Sequence, residues 1–355
     1  MVGATGTNGG GGVSPSDDGD AVVVQGLPAD EAPMDAADHV FAAAPRVLVT
    51  GAAGYLGRLL TARLVADGIH CLGTDLRVPA DAPCVIEAFD VRDADLALLL
   101  RHHRITHVVH LAAVLEGGRD RARDFDIDVN GTRNVVVSCL AAGVRHLTVA
   151  SSGAAYGYLP DNPRWIDEED PLRAGEAFGY AYHKRLVEEL LAEFRGSHPE
   201  LGQLVFRIGT VVGADTDNLI TALFRRRWLL AIRGSDSPFV FAWDHDVVGA
   251  IVLGVTGSRT GVYNVAGNGR LTIRQIAQRL GRPVLPIPAS ALAGVLRLAR
   301  WLRLGRYGPE QVDFLRYRPV LSNRRLQEEF GYRPAKTSAE AFDTWVDGAR
   351  ARGMR

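Results

Sequence analysis

From residue 45 onward, apolar residues follow two rhythms that take turns along the chain. Short, β-branched runs have the length and density of strands buried on both faces: RVLVT at 46–50, IHCLGTD at 69–75, HVVHLA at 107–112, HLTVAS at 146–151 and LVFRI at 204–208. Between them lie segments with apolar residues three and four apart, which predict helices. The first covers 58–68, where Leu59, Leu60, Leu64 and Val65 recur and Gly68 ends the run; others cover 93–103, 121–142 and 179–196. This alternation predicts an α/β fold built on a doubly wound parallel sheet. Beyond residue 208 the alternation becomes irregular. Helices are expected over 218–232, 246–256 and 271–281, the last with Thr272 as N-cap and Gly281 as terminator, and a strand and turn over 261–267. The basic amphipathic stretch 291–305 reads as a core-facing helix whose arginines reach to solvent; contact with a membrane or an apolar substrate is the alternative.

Composition narrows the function classes. Among 355 residues, 40 basic and 41 acidic side chains leave a formal net charge of -1, which gives no electrostatic case for a nucleic-acid partner. No apolar run is long enough to span a membrane. The segment 1–44, opening MVGATGTNGGGG, buries too little apolar surface to offset its ordering entropy and is expected to be a disordered tail rather than a secretion signal. Cys71, Cys84 and Cys139 show neither a disulfide framework nor metal-ligand spacing, which suits reduced thiols in a cytoplasmic protein. Four histidines crowd RHHRITHVVH at 101–110, but none has a partner at zinc-site spacing, so no metal is expected.

The candidate chemistry begins between the first strand and helix, where Gly51, Gly54 and Gly57 form G-x-x-G-x-x-G. Glycines there allow a tight turn, close approach of backbone N–H groups to a pyrophosphate, and packing of helix on strand. The helix N-terminus adds positive dipole. Asp75 follows Gly57 by 18 positions at the end of the second strand, placed to accept hydrogen bonds from an adenosine ribose. A carboxylate there repels a 2′-phosphate and favours NAD; the nearby Arg77 leaves NADP open. Further on, Tyr180 and Lys184 stand one helical turn apart on one face. A phenol of ordinary pKa near ~10 becomes a useful base at neutral pH if an ammonium and a cationic ring stabilise its phenolate. The segment SSGAAYG at 151–157 brings serine hydroxyls to the carboxyl end of a strand, where open parallel sheets bind ligands.

These motifs together resemble the extended short-chain dehydrogenases/reductases of the NAD-dependent epimerase/dehydratase type, a Rossmann-fold group that includes the UDP-glucose 4-epimerase-like proteins. The resemblance rests on TGAAGYLG at 50–57, Asp75, DVRD at 90–93, HLAA at 110–113, VNGT at 129–132, SSGAAYG, YAYHK at 180–184, RIGTVVG at 207–213, NLI at 218–220, HDVVGAI at 245–251 and GVYNVAG at 261–267. It implies that Gly51, Gly54, Tyr55, Leu56 and Gly57 hold the pyrophosphate, Asp75 the ribose, Asp90 and Val91 the adenine, and Leu111, Ala112 and Ala113 the cofactor by backbone. It implies Ser152, rather than Ser151, as the catalytic serine, with Tyr180 and Lys184, and Asn130 in support. Lys184 would also bind the nicotinamide ribose, Gly209 and Thr210 would lie by the nicotinamide, and Asn218 would line the substrate with Ser152 and Tyr180. The domains implied are an NAD-binding core over 45–208 and a mostly substrate-binding lobe over 209–355, with some segments returning to the core. A homodimer through 121–142 and 179–196 is what the group suggests.

Three departures shape the functional expectation. Dehydratases of the group resemble Thr-Asp-Glu where this chain has Ser152, Gly153 and Ala154, so elimination of water lacks its acid/base pair. The arginine with which nucleotide-sugar epimerases grip a diphosphate falls at Phe239, leaving Arg225, Arg226, Arg227 or Arg233 to compensate. The stretch with Leu292, Leu296, Leu298 and Trp301 is apolar enough to suit a hydroxy or keto substrate of steroid-like or polyketide-like character. The expectation is an NAD-dependent oxidoreductase or epimerase acting on a small molecule: Tyr180 takes the hydroxyl proton, Ser152 steadies the oxygen, and the adjacent C–H yields hydride. A nucleotide-sugar 4-epimerase is one alternative. A non-catalytic NAD(P)-sensing protein is another, of a different class.

Overall fold

The computed structural model describes residues 44–115, 120–302 and 308–354. Apart from Ala44, the expected tail lies outside the described residues. The first part of the chain runs β1 (Arg46–Thr50), α1 (Tyr55–Ala66), β2 (His70–Asp75), β3 (Ile86–Ala88), α2 (Leu96–His102), β4 (His107–His110), α3 (Arg121–Phe125), α4 (Gly131–Ala142), β5 (His146–Ser152), α5 (Gly179–Ser197) and β6 (Gly202–Ile208). It continues through β7 (Thr210–Val212), α6 (Leu219–Phe224), β8 (Leu229–Ile232), β9 (Phe241–Trp243), α7 (Asp244–Thr256), β10 (Gly261–Val265), α8 (Ile273–Leu280), β11 (Val284–Ile287), α9 (Ala289–Trp301), α10 (Gln311–Arg316), α11 (Arg324–Glu328) and α12 (Ser338–Ala351).

Seven strands form one parallel sheet in the order β10-β6-β5-β4-β1-β2-β3. Successive side chains on a strand point to opposite faces, which explains why the strands read as unbroken apolar runs. In β1, Val47 and Val49 join Leu60, Leu64, Val247 and Ile251 on one face, under α1 and α7. Leu48 faces the other way, with Leu99, Val135, Val136, Val187 and Leu191 from α2, α4 and α5. After β1 the chain builds outward through β2 and β3; at β4 it returns to the other side of β1. The sheet order reverses between β1 and β4, so a crevice opens at their carboxyl ends.

The remaining residues add β10 to the sheet and two small parallel pairs, β7 with β9 and β8 with β11. An aromatic core of Phe224, Phe239, Phe241, Phe342 and Trp345 holds this region together. Thr272 and Gly281 cap α8 as expected, Thr272 through a capping box with Gln275 and Gly281 in the left-handed conformation.

Two expectations are corrected. The helix over 218–232 is α6 followed by strand β8, because the short run LLAI finds a partner in β11; four apolar residues fit either state until pairing decides. The stretch expected to face the core is helical, but α9 has no buried residue, and Val295, Leu298 and Trp301 are 65%, 55% and 77% exposed. Amphipathic spacing establishes the helix without specifying what covers its apolar stripe.

Candidate active site

The loop after β1 turns so tightly that only glycine fits. Gly51 has φ of +71°, and a Cβ there would lie 2.8 Å from the Ala112 nitrogen after β4. A Cβ on Gly57 would collide with the Gly51 carbonyl oxygen and lie 2.8 Å from Ala52 Cα. At the N-cap of α1, Gly54 carries no side chain to occupy the first-turn N–H groups, leaving them and the helix dipole to an anion. Asp75, at the end of β2, braces this loop: one carboxylate oxygen accepts from the Ala53 N–H at 3.1 Å and the other from the Arg77 N–H at 3.1 Å. Thr50 fixes the opposite wall, accepting the Ala112 N–H at 3.3 Å and meeting His110 Nδ1 at 2.8 Å. Burial pulls the His110 imidazole down to about 3, so it is neutral at physiological pH. The open first turn of α1 and the glycine loop fit a dinucleotide pyrophosphate.

The other residues expected here also make contacts within the fold. The Tyr55 hydroxyl donates to Asp244 of α7 and accepts from Thr216 at 2.9 Å, tying α1 to the later part of the chain. Leu56 is half-buried against the core under α1, and Val91 is buried against α4. The Asp90 carboxylate is held by Arg92 at 2.6 Å, which keeps it below the usual carboxylate range. Leu111 donates its N–H to the Thr50 carbonyl, and Leu111, Ala112 and Ala113 are all half-buried. The Gly209 N–H donates to the Val265 carbonyl at 2.9 Å, joining the end of β6 to β10. The Asn218 side-chain oxygen caps α6, accepting from Ile220 and Thr221 at 3.0 and 2.9 Å.

Ser152, Tyr180 and Lys184 do come together at the carboxyl end of β5. The Ser152 hydroxyl accepts the Ala154 N–H at 3.1 Å. Tyr180 sits in the first turn of α5, where the positive end of the helix dipole favours a phenolate. Burial pushes its pKa above the ordinary value; hydrogen bonding from Ser152 opposes this, and the charge of Asp128 adds to the rise. Lys184 reaches from α5 to β5, donating to the Ala150 carbonyl at 2.7 Å with its ammonium 5.9 Å from the Tyr180 ring centre. Burial pulls its pKa down, while Asp128 and Glu188 hold it up. Ser151 is removed from the group, since its hydroxyl donates to Glu188, which is paired with Arg207 at 2.9 Å. At Gly153, a Cβ would lie 2.9 Å from the Leu321 methyl groups, so any side chain there has to displace Leu321.

Asn130 is not part of the cluster. Its exposed side chain donates to Asp126 at 2.8 Å. Residues Asp126–Asn130 form a π-helical turn between α3 and α4, in which Asp128 is buried and Asn130 exposed. Asp128, not anticipated from the sequence, is 3% exposed; it accepts the Val114 N–H at 2.8 Å and pairs with His183 Nδ1 at 2.8 Å. The available signal was an acidic residue in phase with Thr132, Val135 and Cys139, the buried face of α4. Replacing Asp128 by Asn removes a charge that raises the Tyr180 pKa while keeping an acceptor for Val114. The rising limb of the pH–rate profile is expected to move to lower pH by about half to one unit. A limb that stays in place while the rate falls would assign Asp128 a purely structural part.

Among the described residues no cluster of His, Cys, Asp or Glu forms a metal site, and no helix is long and apolar enough to cross a membrane. A family model, the NAD dependent epimerase/dehydratase family, matches residues 47–265, and the chain belongs to that family. An uncharacterized protein of Mycobacterium bovis is 26% identical over 315 residues, which are 85% of this chain and 83% of that one. A UDP-glucose 4-epimerase of Azospirillum brasilense is 31% identical over 221 residues, 55% of this chain and 62% of its own length. The crystal structure of Thermus thermophilus UDP-glucose 4-epimerase in complex with NAD aligns with a TM-score of 0.68 at 27% identity, covering 86% of this chain and 99% of that one. The chain is thus an NAD-dependent enzyme of the extended short-chain dehydrogenase/reductase type.

Proposed function

We propose that this enzyme reversibly oxidises a hydroxyl-bearing carbon of a sugar-like substrate and restores it, an epimerase cycle in which NAD is not consumed. The observation that carries the reading is the convergence of Ser152, Tyr180 and Lys184 at the carboxyl end of β5, beside the glycine loop of β1. NAD, when bound through Gly51, Gly54, Gly57 and Asp75, supplies the hydride acceptor. Tyr180 takes the hydroxyl proton as the carbonyl forms and returns it on reduction, Ser152 donates to the same oxygen, and Lys184 favours the phenolate by its charge. Dehydration is disfavoured because no acidic side chain stands at Gly153 or Ala154.

The test is incubation of the purified protein with UDP-glucose, UDP-galactose and a neutral hydroxysteroid, followed by NMR of the substrate and by NADH absorbance. Native mass spectrometry of the same protein reports retained NAD. Inversion at one sugar carbon without net NADH supports the cycle. Stoichiometric NADH with no inversion makes the enzyme a dehydrogenase, and turnover of the hydroxysteroid alone rejects the sugar reading.

A further inference from the structure

Helix α9 carries apolar residues in two neighbouring stripes, and the fold covers only one of them. Leu292, Leu296 and Ala299, spaced four and three apart, are half-buried. Val295, Leu298 and Leu302, spaced three and four apart, are exposed, and Trp301 beside them is 77% exposed. The strand that leads into α9 through Pro288 continues the exposure: Leu285 of β11 lies in register with Leu230 of β8, and both are exposed. Single exposed leucines are ordinary on a protein surface. A helical stripe of apolar side chains with a tryptophan marks a surface that meets something apolar.

Charge says what that is. From Val247 to Pro309 the chain has nine arginines and no acidic residue, in a protein whose formal net charge is -1. Two of the nine, Arg297 and Arg300, are exposed on α9 beside the apolar stripe, and Arg300 stays 66% exposed with Glu310 at 3.7 Å. A second copy is a poor occupant, because a twofold contact through α9 sets arginine against arginine with no carboxylate on the helix to pair them. A small apolar substrate fits no better, since Leu298 and Trp301 are too exposed to enclose one. An anionic bilayer meets both features at once. The stripe and the indole enter the boundary between headgroups and acyl chains, and the arginines stay hydrated against lipid phosphates.

We propose that α9 is a membrane-surface element, which holds the enzyme reversibly on an anionic bilayer through Val295, Leu298, Trp301 and Leu302, with Arg297 and Arg300 on the headgroups. Co-sedimentation of the full chain with vesicles tests this, using phosphatidylcholine alone and phosphatidylcholine with about 30% phosphatidylglycerol. Binding is expected on the anionic vesicles, about tenfold or more weaker on the neutral ones, and weakened by about 0.5 M salt. Leu298→Ser with Trp301→Ser is expected to weaken binding by about tenfold or more. Arg297→Gln with Arg300→Gln is expected to weaken it about tenfold and to narrow the preference for anionic lipid. Both pairs replace exposed side chains, so the melting temperature is expected to stay within about 2 °C of the unaltered protein. No sedimentation with the anionic vesicles, equal sedimentation with both kinds, or binding that neither pair of substitutions weakens overturns the proposal. So does a concentration-dependent dimer in the absence of vesicles that Leu298→Ser with Trp301→Ser abolishes, since it assigns the stripe to a second copy.

Discussion

Tyr180→Phe is expected to lower turnover by about 10²- to 10⁴-fold while leaving NAD binding within a few-fold of the unaltered protein. In the proposed cycle the phenol oxygen exchanges the proton, and Phe retains the ring that packs near Lys184 at 5.9 Å. Burial holds the Tyr180 pKa above its ordinary value, so the oxidising half-reaction is expected to rise with pH as the phenolate fraction grows. If Tyr180 exchanges the proton as proposed, that rising limb is expected to vanish in the Phe variant. Single-turnover formation of NADH, read across pH, measures both effects. Turnover unchanged by the substitution would remove Tyr180 from catalysis, whereas ligand-dependent partner binding in the absence of any turnover would favour the cofactor-sensing alternative. Ser152→Ala is the companion: it leaves the phenol in place and removes the hydroxyl that pulls its pKa down.

The parts of the site that follow from backbone geometry were legible in the sequence. A buried parallel strand, a glycine at a turn that permits no Cβ, and a helix whose first turn stays uncapped leave few residue choices, and these appear as RVLVT followed by Gly51, Gly54 and Gly57. The pairing of Tyr180 with Lys184 was legible for the same reason, since four residues on a helix make one face. The resemblance named Asn130 where the helical phase of α4 points to Asp128. Across the π-helical turn Asp128 is buried and Asn130 exposed, and nothing in DFDIDVNGT marks the turn itself. Tertiary contacts between distant segments were equally hidden. Phe239 and Arg318 are far apart in the chain, and only folding stacks one on the other. The run LLAI of β8 reads as helix from its spacing alone, because its partner β11 lies more than fifty residues later.

The same dependence on distant partners governs stability beneath the site, where Glu188→Ala is expected to cost about 3–5 kcal/mol. Glu188 of α5 and Arg207 of β6 form an ion pair at 2.9 Å with side chains 5% and 9% exposed. Arg207 also donates to the Tyr156 hydroxyl at 2.7 Å and to the Glu168 carbonyl at 3.0 Å, while Ser151 of β5 donates to Glu188. Removing the carboxylate leaves the guanidinium buried with only neutral acceptors, so the penalty is an uncompensated charge rather than one lost contact. Glu188→Gln keeps an acceptor and is expected to fall between the two. Pairing Glu188→Leu with Arg207→Met removes both charges and is expected to recover most of the loss, since well-packed apolar pairs often match buried ion pairs. Urea denaturation of the four proteins decides: a Glu188→Ala variant within about 1 kcal/mol of the parent would mean that water or the neighbouring Tyr156 phenol already satisfies Arg207. The carboxylate also touches Ser151, next to Ser152, and favours the charge of Lys184. The variant is therefore expected to lose activity beyond its loss of folded protein, and Glu188→Gln, which keeps the hydrogen-bond acceptor without the charge, separates the electrostatic part of that loss from the packing part.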